Sequence, residues 1–181
     1  VSHTGDPTAE FFPSGTRGPA DCGAFLSFAS RVYGPDFVNH PGGSATPFSA
    51  LSSYTPFTPS GAGQSAVTGS GTAGSPLTVT TPVSAGSSGL TVTEVDKYVV
   101  GNEYYRTSIT VRNSGSVPAS ALLYHAGDCY LQGSDSGYGF VNPANNAPAC
   151  SANANNAPPG LLEEFTPITG GSHYVEASFT T

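Results

Sequence analysis

The stretch LTVTEVDKYVVGNEYYRTSITVR, Leu90 to Arg112, decides how this chain is read. Leu90 to Val100 and Glu103 to Arg112 are two Val/Thr/Tyr-rich runs joined through Gly101-Asn102, the pattern of an antiparallel hairpin. In the second run Tyr105, Thr107, Ile109 and Val111 alternate with Arg106, Ser108, Thr110 and Arg112. One face is therefore apolar and the other wet, as in an antiparallel sheet packed on one side.

The same grammar extends in both directions. Upstream, Leu77 to Val83 is a Thr/Val-rich strand. Downstream, Asn113-Ser-Gly115 turns the chain into a strand over Ala121 to Ala126, and strands at Leu161 to Phe165 and His173 to Phe179 close the sequence. Near the start, the run AFLSFASRVY (Ala24 to Tyr33) fits a strand or a short helix by periodicity. The flanking Gly and the following Pro35 favour a strand. Residues 34–75 are turn-rich, with Phe37, Phe48, Tyr54 and Phe57 as spaced anchors, and Tyr54 to Pro59 is extended because residues before proline avoid the helical region. No segment keeps a helical period. About eight to ten short strands between turn clusters predict an all-β, antiparallel β-sandwich. Residues 1–23 read as an extended arm or loops, and residues 24–181 as one sandwich domain.

Composition narrows the function classes. Hydrophobic residues are 37%, with 23 Gly and 16 Pro, yet nine Tyr and ten Phe supply a core and charged residues are only 9%. That is a folded, turn-rich chain rather than a disordered one. Twelve acids against five bases give a net charge of −7, and Lys97 is the only lysine. Nucleic acid needs clustered cations and is a poor partner. No apolar run approaches the ~20 residues of a spanning helix, so membrane insertion is not expected. The first residue, Val1, and the absence of Met suggest a processed or excised segment, and small polar residues in place of Lys and Glu suggest an exported, cell-surface protein.

The cysteines Cys22, Cys129 and Cys150 form an odd set. Cys129 and Cys150 flank a Gly/Asn/Pro-rich stretch, and a disulfide between them would stabilise by roughly 3 kcal/mol through the unfolded chain. Cys22 is then free and buried, or bridges to another chain.

The segment TSITVRNSGSVPASALLYHAGDCYLQGSDSGYGF, with TGSGTAGSPLTVTTPV before it, resembles repeat-like modules of large actinobacterial cell-surface and secreted proteins. In these, a strand ending in Val-x-Asn-x-Gly turns into the next strand of a sandwich. The likeness spans roughly residues 50–140. It implies an extracellular β-sandwich, the broad double sheet of mutarotase-like and carbohydrate-active proteins being one form of it. It transfers no catalytic residue.

Chemistry-bearing residues concentrate between Gly127 and Phe140. Asp128, Asp135 and Ser136 sit among glycines that let carbonyls turn inward, as calcium requires, although the spacing is not that of an EF-hand. Tyr130, Tyr138 and Phe140 offer flat faces to a glycan or a protein ligand, with His125 beside them. The four histidines, His3, His40, His125 and His173, have no zinc spacing. A His–carboxylate pair across strands would suit sugar-ring acid–base work. Gly69 to Thr72 is a turn rather than a phosphate cradle.

Three readings follow. The first is a non-catalytic display or adhesion module, partnered by other surface-protein domains or by copies of itself. The second is a fibre or sheath subunit assembled by strand donation, with residues 1–23 as the donor. The third is a mutarotase-like enzyme using His125 or His173 with a carboxylate.

Overall fold

The structure is a computed structural model that describes residues 23–35, 54–127, 137–154, 162–171 and 173–174. It is all-β, with eleven strands in three sheets among these residues. The chain divides into two compact units, the first running to Ala126 and the second beginning, apart from a short early segment, at Gly127.

In the first unit one sheet has the order β3-β2-β1-β8, from β1 (Gly23–Phe28), β2 (Arg31–Gly34), β3 (Thr55–Pro56) and β8 (Leu122–Ala126). A second sheet has the order β4-β5-β6-β7, from β4 (Thr58–Pro59), β5 (Leu77–Ser84), β6 (Leu90–Tyr98) and β7 (Tyr105–Asn113). Only Phe57 separates β3 from β4, so the chain steps from one sheet to the other there. Phe57 is 5% exposed and stacks on Tyr33 with ring centroids 6.4 Å apart. Leu26 and Tyr33 of the first sheet meet Val83, Leu90 and Val92 of the second in one buried cluster, flanked by Phe28 and Ile109. This is the sandwich core, and Phe57 closes one side of it. On the other side β8 and β7 are, among the described residues, the outermost strands of their sheets.

The predicted hairpin stands in register: Tyr98 faces Tyr105, Asp96 faces Thr107 and Leu90 faces Asn113. Tyr105, Thr107 and Ile109 are half-buried, whereas Arg106, Ser108 and Thr110 are exposed, as the alternation requires. Its tip is pinned by the Val100 amide, which donates to the Gly71 carbonyl over 2.9 Å. Gly71 sits at φ 82°, and a Cβ there would meet Val100 Cγ2 at 2.6 Å, so glycine is required. The chain bends at Gly69 and Gly71 and turns at Ala73-Gly74, with Thr72 bridged to Ser75. Asn113 to Gly115 is an Asx turn, with the Gly115 amide donating to Asn113 Oδ1 over 2.8 Å.

Two expectations about strands are corrected. The run Ala24 to Tyr33 is not one strand but the hairpin β1–β2, whose two turn residues Ala29 and Ser30 have φ of 50° and 62°. Two successive left-handed residues match the right-handed strand twist, and this geometry ordinarily selects Asn or Gly. The expected closing strand from His173 is not formed at His173 or Tyr174, and residues 175–181 lie outside the described residues.

The second unit holds a three-stranded antiparallel sheet, β11-β10-β9, from β9 (Tyr138–Asn142), β10 (Ala147–Ser151) and β11 (Leu162–Glu164). The Gly/Asn/Pro-rich stretch that leads to Cys150 thus forms, in its described part, the β9–β10 hairpin. Its turn carries Asn146 at φ 55°.

Candidate functional site

The central strand β10 presents Ala147, Ala149 and Ser151, all buried, on one face. Register places Phe140 and Glu164 on either side of Ala149, and Tyr138 and Leu162 on either side of Ser151. Alternation then puts Tyr138, Phe140, Asn142 and Glu164 on the same face as these small residues. Because β10 contributes only small side chains there, long side chains from β9 and β11 meet above it. Asn142 Nδ2 donates to Glu164 Oε2 over 2.6 Å. Asn145 Nδ2 and Thr166 Oγ1 both donate to Glu164 Oε1. The Thr166 hydroxyl first, then Asn142 and Asn145, hold the Glu164 carboxyl below the usual carboxylate range.

This face thus carries an oriented anion on β11 and two aromatic rings on β9, with the small residues of β10 between them. Tyr138 is 53% exposed and Phe140 half-buried. Behind it, the Phe165 amide donates to the Pro148 carbonyl over 3.0 Å, and a Cβ at Gly127 would meet the Phe165 ring at 2.7 Å. On such a face the exposed ring can stack on a sugar or an aromatic peptide side chain, and the oriented carboxylate can accept hydroxyl or amide protons.

Of the residues singled out from sequence, the structure thus brings Tyr138 and Phe140 together. Tyr130, Asp128, Asp135 and Cys129 lie outside the described residues. Cys150 is half-buried on β10, in register with Gly139 and Glu163. Glu164 was not singled out by sequence reasoning. A carboxylate followed two residues later by Thr is a weak local signal, and the two Asn donors come from a distant turn. Among the described residues no group of three or more His, Cys, Asp or Glu is placed to hold a metal, and no helix is long and apolar enough to cross a membrane.

His125 belongs to the first unit and Tyr138 to the second. From β8 His125 pairs with Ala24 of β1 and so lies on the side of its sheet that carries Ala24 and Leu26, but at the outermost described strand it is itself exposed. Asp96 and the buried Glu94 occupy the core-facing side of the other sheet. Desolvation by the surrounding protein lowers the His125 pKa, with the Asp96 carboxylate pulling the other way. Asp96 Oδ1 is meanwhile anchored by Thr107 Oγ1 over 2.6 Å. The His–carboxylate relationship thus runs across the sandwich rather than along a strand. Leu122, Leu123 and Tyr124 of β8 and Val111 of β7 are all exposed on this open side. Searches against family models, curated proteins and solved structures return no match for the chain.

Proposed function

We propose that this chain is a secreted or cell-surface β-sandwich module that works by display and binding rather than by catalysis. Its ligand, a glycan or a protein segment, docks on the Tyr138–Phe140–Glu164 face of the second unit. The observation that carries this reading is Tyr138, more than half exposed on a sheet face that also carries, on the far side of β10, a carboxylate oriented by three donors. Such preorganisation favours binding because little side-chain entropy is lost on docking. A Cys129–Cys150 bridge would tie this hairpin to the preceding segment. Calcium at Asp128 and Asp135 remains a proposal for the same segment. Glycan and peptide arrays probed with the full chain and with Tyr138→Ala test the reading, which requires a ligand that the variant loses.

One observation favours a second reading, a subunit joined by strand donation. Among the described residues the β7/β8 side of the sandwich ends in two outermost strands, with Leu122, Leu123, Tyr124 and Val111 exposed. An open edge of this kind accepts an added strand. Light scattering on never-denatured material distinguishes the two, because a subunit assembles and a module stays monomeric.

A further inference from the structure

Three of the chain's five basic residues, Lys97, Arg106 and Arg112, lie on the outer face of the β4-β5-β6-β7 sheet. All three are exposed. Lys97 stands directly opposite Arg106 in the β6–β7 register, a like-charge pairing that disfavours the sheet. The carboxylates of these strands, Glu94 and Asp96, alternate onto the other face. The outer face therefore carries no acid on its strands, and its remaining positions are Thr and Ser with Val95 and Pro82. Arg112 lies six residues beyond Arg106, or roughly 20 Å along the strand.

Protection of an open edge accounts for cations on β7. It does not account for Lys97, because β6 is an interior strand paired on both sides. In a chain of net charge −7, three cations gathered on one flat, hydroxyl-rich face mark an anion-binding surface. Three charges over this length are too sparse for a nucleic-acid duplex, which carries about one charge per 1.7 Å. They suit a polymer whose anions are spaced by neutral sugar units, with guanidinium groups gripping carboxylates or sulfates and the Thr/Ser rows meeting hydroxyls.

We propose that the outer face of the β4–β7 sheet, through Lys97, Arg106 and Arg112, binds a linear acidic polysaccharide. The proposal is independent of the Tyr138 surface. Retention of the full chain on immobilised polygalacturonate and on heparin, with dextran as the neutral control, separates carboxylate from sulfate recognition. The expected result is retention on at least one acidic matrix, none on dextran, and release between about 0.15 M and 1 M salt. Lys97→Gln, Arg106→Gln and Arg112→Gln should each weaken binding about threefold, and together more than tenfold. Lys97→Arg should retain it. Arg31→Gln, which removes an exposed charge from β2 in the other sheet, should change nothing. Far-UV circular dichroism checks that each variant is folded. Equal losses in Arg31→Gln and the face variants, retention on dextran, or no retention on either acidic matrix would overturn the proposal. So would salt-sensitive self-association without glycan that the triple variant abolishes, because the face would then belong to a second copy.

Discussion

Asn142 of β9 reaches Glu164 of β11 across the intervening strand β10, donating Nδ2 to Oε2 over 2.6 Å. The contact exists because Ala147 and Ala149 leave the space above the central strand empty. It links three strands that have little aliphatic core of their own.

Replacing Glu164 with Ala should therefore loosen the second unit. Three hydrogen bonds to a partly exposed carboxylate contribute about 1 kcal/mol after allowance for solvent screening. The Glu164 carboxyl is held below its ordinary value of 4.5, so its contribution is present above that pH and is lost as pH falls through it. Urea unfolding should show a stability step on acidification below about pH 5 that Glu164→Gln abolishes. An unchanged step in the variant would assign the pH dependence elsewhere.

Phe57 is the hinge between the two sheets of the first unit, and its ring lies against Tyr33. Phe57→Ala should destabilise that unit by about 3 kcal/mol, read from chemical denaturation. A loss under about 1 kcal/mol would mean that the closed side of the sandwich does not depend on this ring.

The β1–β2 turn offers a gain instead of a loss. Ala29 and Ser30 both occupy left-handed backbone at φ 50° and 62°. Ala29→Asn with Ser30→Gly should raise stability by about 1 kcal/mol, because those residues adopt this geometry without strain. A lower melting temperature for the double variant would contradict the assigned turn.

His125 is held below its ordinary pKa of 6.5 by desolvation, which the Asp96 carboxylate only partly offsets. A group depressed on folding stabilises above its unfolded pKa, and that contribution is lost as pH falls through the folded value. Stability should decline below about pH 6.5, and His125→Gln should flatten that decline. Persistence of the full slope in the variant would remove His125 as its source.

Strand alternation was legible where side chains repeat with period two, as in Leu90 to Arg112, and there the two faces came out as expected as far as Thr110, with Val111 exposed near the strand end. The β1–β2 turn was not legible, because Ala29-Ser30 is not a turn sequence and its backbone is imposed by the paired strands. The hairpin β9–β10 was hidden for a different reason. Its buried residues are Ala147, Ala149 and Ser151, which carry no hydrophobic signature, and its value lies in what they leave room for. Tyr138 and Phe140 could be picked out as aromatics two apart, but Glu164 joins them only through pairing with β10. The Asp96–His125 relationship and the opposition of Lys97 to Arg106 likewise exist only once strands are paired. Local pattern carries the faces of a strand, and register carries the sites.

The proposed binding role rests on the Tyr138 surface. The direct measurement is a dissociation constant for the best ligand from glycan and peptide arrays, for the full chain and for Tyr138→Ala. Loss of the ring should weaken binding about tenfold while the folded state is retained, equivalent to about 1.4 kcal/mol. A ligand bound equally by both proteins, or arrays that yield no ligand at all, would contradict it.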